Sequence, residues 1–364
     1  MRQYNFSAGP SELPLEVLKE IQEELLSYKN NGFSIMEISH RSSYYEQMHN
    51  DAIKDAKELY GINDDYEVIF VQGGATMQFS LLAMNFSLDN KPCEYIDTDV
   101  WTQKACEEAI LAGVNAKIVA SSKDSKYNYI PKVSLNSDSS YTYICSNNTV
   151  HGTQYKQLPI SNSPLIIDAS SDFFSRKLDF SNIGVLYGGV QKNAGIAGFA
   201  CLIIRKDLLE RSKNKSMPKM FNYNTYADNN SLFNTPPTFA IYVYAKIMKW
   251  IKAKGGLDVI NKENEIKAKY LYDIIDNSSF YKAYVNNEDR SIMNVCFTTG
   301  NDELDLEFWS KAAKEHNMLG LKGHKKLGGL RASIYNSASL EKVKILGEYM
   351  KEYERVRGWK KAFH

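Results

Sequence analysis

The chain has 364 residues, 43% apolar and 24% charged, which is the balance of an ordinary globular protein long enough for roughly two domains. Its 44 basic and 43 acidic side chains leave a formal net charge of +1, so nothing marks it for nucleic acid or an anionic membrane surface. There is no signal-peptide pattern, no apolar run near the roughly 20 residues of a membrane span, and no Cys-x-x-Cys pair among the 5 cysteines, so a reduced, cytoplasmic protein is expected, with no disulfide framework and no metal site.

Leu15, Leu18, Ile21, Leu25 and Leu26 recur at helical spacing between Pro14 and Gly32, which predicts a first helix. A second is expected over Tyr44 to Tyr60, stopped by Gly61. Glu67 to Val71 reads as a strand that passes through Gly73-Gly74 into a helical segment, Thr76 to Met84. Tyr141 to Cys145, Leu165 to Ile167, Val185 to Tyr187 and Phe199 to Ile204 are short apolar runs that suit strands buried on both faces of a parallel sheet. Ser121 to Ser140, rich in Ser, Asn and Lys, is expected to be a surface excursion. Lys213 to Thr238, rich in Asn, Tyr and Pro, is too long for a plain connector. Phe239 to Lys254 is helical and ends at Gly255-Gly256, a boundary that separates residues 1–254 from a smaller α+β unit, residues 255–364. In that unit helices are expected near Leu257 to Asp276, Glu303 to Glu315 and Leu340 to Val356, with a strand near Met293 to Phe297. The alternation predicts an α/β fold with ligands at the carboxyl ends of its strands.

Lys192 stands among glycines in Tyr187-Gly-Gly-Val-Gln-Lys-Asn-Ala-Gly195, just past a predicted strand. A lysine held in such a turn can form a Schiff base with an aldehyde if its amine is partly neutral, although a turn lysine is ordinarily just solvated. Asp168 ends another strand 24 positions earlier, where a carboxylate can hold a protonated ring nitrogen or simply cap a helix. Gly73-Gly74-Ala75-Thr76, between strand and helix, can offer backbone N–H groups to an anion. Neither Gly-x-Gly-x-x-Gly at that turn nor Gly-Lys-Ser/Thr anywhere is present, so dinucleotide and nucleoside-triphosphate signatures are missing. Trp101 can stack on a flat ring, and Thr149 can bond a ring oxygen. His40-Arg41, His324-Lys325 and Arg331 are basic clusters suited to carboxylate and phosphate groups, though such charges are usually just surface charges.

Asn5-Phe-Ser-Ala-Gly-Pro10, Glu37-Ile-Ser-His-Arg41, Gln191-Lys-Asn193, Phe233-Asn-Thr-Pro-Pro-Thr-Phe239 and Arg331-Ala-Ser-Ile-Tyr-Asn336 together closely resemble the phosphoserine aminotransferase family. Lys322-Gly-His324 ahead of Gly328-Gly-Leu-Arg331 is an especially specific match. This family belongs to the class V group of fold-type-I pyridoxal phosphate enzymes. The resemblance implies a large α/β domain with a mainly parallel seven-stranded sheet, a smaller α+β C-terminal domain, and pyridoxal 5'-phosphate as cofactor. It implies Lys192 as the Schiff-base lysine, Asp168 at the pyridine nitrogen, Trp101 stacked on the ring and Thr149 at its hydroxyl. The cofactor phosphate would rest on Gly74, Ala75 and Gln191, with Asn234 and Thr235 reaching in from the partner subunit of a homodimer with shared active sites. The long Asn- and Tyr-rich loop would lie in that interface. Arg331 would clamp the substrate carboxylate, while His40, Arg41, His324 and Lys325 would receive the substrate phosphate.

The reaction so implied moves an amino group from glutamate to 3-phosphohydroxypyruvate, giving 3-phosphoserine and 2-oxoglutarate for serine synthesis. The four-carbon phosphohydroxythreonine pair of pyridoxine synthesis is a related substrate. One position departs from the family: Lys325 stands where Arg is common, a point charge in place of a fork. A cysteine desulfurase on this scaffold is a poor fit because no cysteine follows Cys296. Another small-substrate aminotransferase, such as one acting on glyoxylate, and a catalytically silent cofactor-binding scaffold are the remaining alternatives.

Overall fold

A computed structural model of the chain describes residues 2–135 and 138–361. The N-terminal half runs β1 (Tyr4–Asn5), α1 (Leu15–Glu24), α2 (Ser43–Tyr60), β2 (Tyr66–Gln72), α3 (Gly74–Phe86), β3 (Cys93–Asp97), α4 (Val100–Leu111), β4 (Ala116–Ser121), β5 (Tyr141–Cys145), β6 (Leu165–Asp168) and β7 (Ile183–Gly189). There follow β8 (Phe199–Arg205), α5 (Lys206–Ser212), α6 (Tyr223–Asp228), α7 (Thr238–Ala253), α8 (Leu257–Asp276), β9 (Lys282–Ala283), β10 (Asn294–Thr298), α9 (Asp302–Glu315), β11 (Met318–Leu319), β12 (Leu330–Ser333) and α10 (Leu340–Lys361).

The central sheet has seven strands in the order β2-β8-β7-β6-β5-β3-β4. β3 to β7 pair in parallel, and β8 runs antiparallel to both of its neighbours. Every residue of β3, β5, β6 and β7 is buried, because helices cover both faces. One face carries a core with α1, α2 and α7, and the other a core with α3, α4 and α6. A third core joins α8, α9, α10 and the antiparallel strands β9, β10 and β12, with Phe6 of the N-terminal segment inserted into it.

At three places the structure adds to the sequence reading or narrows it. The predicted first helix is present, but α1 stops at Glu24 and buries Val17 and Ile21, so that of the Leu15 to Leu26 stripe only Ile21 is buried and Leu26 is 84% exposed. Lys246 of α7 pairs with Glu20 and Glu24 of this helix at 3.1 and 2.9 Å. The segment after Lys213 is not only a loop. It folds into α6, whose Tyr223 and Tyr226 are buried, and Tyr223 donates to Gln78 at 2.7 Å, so part of its length serves this chain's own core. Finally, β3, α4 and β4 carry no clear signal in the sequence, because Glu94 interrupts the apolar run of β3; it is buried and paired with Lys117 at 3.2 Å.

A buried lysine amine, whose pKa burial pulls down to about 7, ties the third core to the sheet. Lys267 of α8 donates to the carbonyls of Ile334, Tyr335 and Ala338 at 3.0, 2.7 and 2.9 Å. That loop in turn places Asn336, whose backbone N–H donates to Asn193 Oδ1 at 3.0 Å, beside Lys192. Lys267→Met would leave the three carbonyls without their donor. Its expected cost is about 2–4 kcal/mol, read as a lower denaturation midpoint in urea; an unchanged midpoint would show that the amine does not hold the loop.

Candidate active site

The carboxyl ends of β3, β5, β6 and β7 open on one cleft, where the turns after the strands deliver their side chains. Ala75, Thr76, Trp101, Thr149, Asp168 and Lys192 are among its lining residues. Lys192 lies on the turn after β7, and its Nζ donates to Thr149 Oγ1 at 2.7 Å. Gly9, at φ +154°, packs on its stem: an added Cβ would stand 3.3 Å from Lys192 Cγ. The outer part of the side chain reaches the opening, yet desolvation of the amine pulls its pKa below the ordinary lysine range, against the opposing pull of Asp168. A partly neutral amine is what Schiff-base chemistry requires.

Asp168 is buried at the end of β6. Ser170 donates to its Oδ1 from both N–H and hydroxyl, at 2.9 and 2.6 Å, and Gly189 N–H holds that hydroxyl at 3.0 Å. Trp101, the second residue of α4, has a buried Nε1 without a partner. α3 begins at Gly74 after the left-handed Gly73, and no side chain caps it, so its first N–H groups are open to an anion. Across from that helix end, bare Gly189 lets Gln191 fold in: a Cβ there would fall 2.8 Å from Gln191 Oε1 and 3.3 Å from Ala75 Cβ. An amine, a buried carboxylate, an indole and an uncapped helix end fit a planar, phosphorylated pyridine that carries an aldehyde.

The other end of the cleft is cationic. Arg331 projects from β12, donates from Nη1 to the Thr149 carbonyl at 2.9 Å, and keeps a buried Nε without a partner. His324 sits on a tight turn in which Leu327 and Gly328 N–H groups donate to its carbonyl at 2.9 and 2.8 Å. Burial, and then the Arg331 charge, hold its imidazole below the usual histidine range. An arriving phosphate dianion would reverse that pressure and favour the protonated ring. Lys325 is exposed beside it.

Of the residues singled out from the sequence, Ala75, Trp101, Thr149, Asp168, Gln191 and Lys192 line this one cleft, and Gly74 stands at its edge as the first residue of α3. Arg331 reaches it through Thr149, and His324 lies within the electrostatic reach of Arg331. Four others are elsewhere. His40 and Arg41 lie on the turn ahead of α2, and Asn234 and Thr235 lie on an exposed segment where Gln72 donates to the Thr235 carbonyl at 3.0 Å. Sequence reasoning passed over Asn147, Ser170 and Ser171, which also line the cleft. The Ser170-Ser171 pair, starting two positions after Asp168, was the available signal.

A mostly parallel seven-stranded sheet, with a desolvated lysine and a buried carboxylate at its strand ends, defines an α/β enzyme of the fold-type-I pyridoxal phosphate class. The family model for aminotransferase class-V matches residues 3–346. The chain is 58% identical over 356 residues to a phosphoserine aminotransferase of Campylobacter lari, covering 98% of this chain and 99% of that one. Among solved structures, phosphoserine aminotransferase from Bacillus circulans subsp. alkalophilus superposes with a TM-score of 0.94 at 43% identity, over 98% and 99% of the two chains. The pyridoxal-phosphate-bound phosphoserine aminotransferase from Trichomonas vaginalis gives 0.91 at 35% identity, over 96% and 100%. The chain belongs to the class-V aminotransferase family, in its phosphoserine aminotransferase branch.

Proposed function

We propose that this chain catalyses the reversible transamination of 3-phosphohydroxypyruvate with glutamate, giving 3-phosphoserine and 2-oxoglutarate, with pyridoxal 5'-phosphate held at Lys192. The observation that carries the reading is the meeting, in one cleft, of the Lys192 amine and the Asp168 carboxylate, with Arg331 joined to the same site through the Thr149 carbonyl. When bound, pyridoxal phosphate supplies an electron sink for negative charge at the substrate α-carbon. Lys192 Nζ takes and returns the α-proton, and the Thr149 hydroxyl aims it. Asp168 would hold the protonated ring nitrogen of the cofactor, and Trp101 would pack against its ring. The uncapped end of α3, with Gln191, binds the cofactor phosphate. Arg331 takes the substrate carboxylate as a fork, and His324 and Lys325 face its phosphate.

His40, Arg41, Asn234 and Thr235 lie outside the cleft of their own chain, which supports a homodimer whose second copy brings them in. The separate third core supports a division into a cofactor-binding domain, residues 1–254, and a small domain, residues 255–364. No helix among the described residues is long and apolar enough to cross a membrane. A cytoplasmic enzyme of serine synthesis, able to accept phosphohydroxythreonine for pyridoxine synthesis, completes the reading.

The test is a turnover assay of the pyridoxal-phosphate-loaded protein with phosphoserine and 2-oxoglutarate. Glutamate should form, and inorganic phosphate should compete. Turnover of alanine with glyoxylate but not of phosphoserine would replace this reading with the glyoxylate one, and no turnover at all would leave a silent scaffold. Lys325→Arg is expected to lower KM for phosphoserine by about threefold at nearly constant kcat, because it adds a fork at an exposed, solvent-screened position. A raised KM would remove Lys325 from the phosphate site.

A further inference from the structure

Asp99 lies between Thr98 and the start of α4, and His151 lies two residues past Thr149; no role has been given to either so far. Asp99 is fully buried, and a buried carboxylate is tolerable only with donors around it. It has three: Val100 N–H at 2.6 Å, Val150 N–H at 3.3 Å and His151 Nδ1 at 2.9 Å. The first of these is ordinary helix capping. The other two are not needed for a cap, since they reach across to a different segment. One carboxylate therefore clamps two pieces of backbone, the helix start that carries Trp101 and the segment that carries Thr149. Thr149 in turn touches Lys192 Nζ through its hydroxyl and Arg331 through its carbonyl. The Tyr127 ring closes over the imidazole with centroids 4.7 Å apart.

We propose that Asp99 and His151 form a positioning pair for this transamination, locking the Trp101 platform to the Thr149 contact and standing as resident counter-charge to the cations of the cleft. The inference rests on the function proposed above. The electrostatics agree with it: Asp99 favours the charged forms of Lys192 and His324, whereas Arg331 disfavours both, and Asp168 and Cys145 are the other groups that act on Lys192. His151 faces Asp99, Tyr127 and His324.

Three variants of the pyridoxal-phosphate-loaded enzyme test it. His151→Phe keeps the ring but removes the donor. His151→Asn keeps a donor, because an amide nitrogen falls close to the place of imidazole Nδ1. Asp99→Asn removes the charge and turns one acceptor towards Val150 N–H into a donor. Each is assayed for kcat and KM with phosphoserine, for the pH midpoint of the absorbance of the lysine–cofactor linkage, and for thermal melting. Both His151→Phe and Asp99→Asn should lose about tenfold in kcat/KM, carried mainly by kcat, and Asp99→Asn should lower the absorbance midpoint by about one pH unit. His151→Asn should regain most of the lost kcat, which a merely structural imidazole would not predict. Folded His151→Phe with unchanged kinetics, or His151→Asn as impaired as His151→Phe, would overturn the proposal. If Asp99→Asn fails to melt cooperatively, the two His151 variants still decide it. A linkage absorbance missing from the unsubstituted protein would overturn the proposed function itself, and this pair with it.

Discussion

Lys192→Ala is expected to abolish both the absorbance of the lysine–cofactor linkage and turnover. Lys192 Nζ is the amine that the fold presents to the cleft beside Asp168, and burial pulls its pKa below the ordinary lysine range. Its loss removes the covalent attachment point together with the general acid–base group. A positioned group of that kind contributes about 10²–10⁴-fold in rate, so kcat should fall by at least about 10³-fold. Folding should survive, because alanine withdraws only a stem that packs on Gly9 and a hydroxyl contact to Thr149. Absorbance spectra and steady-state assays with phosphoserine and 2-oxoglutarate measure the effect. Activity within tenfold of the unsubstituted protein would remove Lys192 from its assigned place.

Asp168→Asn is expected to lower kcat by about 10²–10³-fold with little change in KM for phosphoserine, since it removes preorganised charge at the point where charge develops. The variant is isosteric, and its amide oxygen can still accept from Ser170, so the local fold should hold. Arg331 and the phosphate-facing side chains are untouched, which is why KM should stay. A second consequence follows from the sign of the field. Asp168 favours the protonated form of Lys192, so its neutralisation should lower the pH at which the linkage absorbance titrates. An unchanged kcat, or a midpoint that moves upward, would contradict a carboxylate role in the cleft.

The strands that build the cleft were legible because their chemistry is local. Tyr141 to Cys145 appears as β5 with the expected limits, and the runs around Leu165, Val185 and Phe199 lie inside β6, β7 and β8. Unbroken apolar residues bounded by polar or glycine positions suffice for that reading when helices cover both faces of a sheet. The α2 stop at Gly61, in the left-handed region with φ 66°, was legible for the same local reason. The reversed direction of β8 was not, since an apolar run carries no sign of its direction. Nor could the spacing of Leu15 to Leu26 announce that Glu20 and Glu24 pair with Lys246, more than two hundred positions away.

Sequence alone singled out the candidate side chains: Lys192 beyond a strand, Asp168 at the end of another, and glycines at the turns between. These follow from residue type and from the turn that local propensity dictates. Only the tertiary structure decided that the Thr149 hydroxyl meets Lys192 and its carbonyl meets Arg331, and that Asp99 joins two segments through one carboxylate. The physical reason is distance along the chain. Such contacts join residues 43 to 182 positions apart, and their geometry exists only once parallel strands have packed side by side.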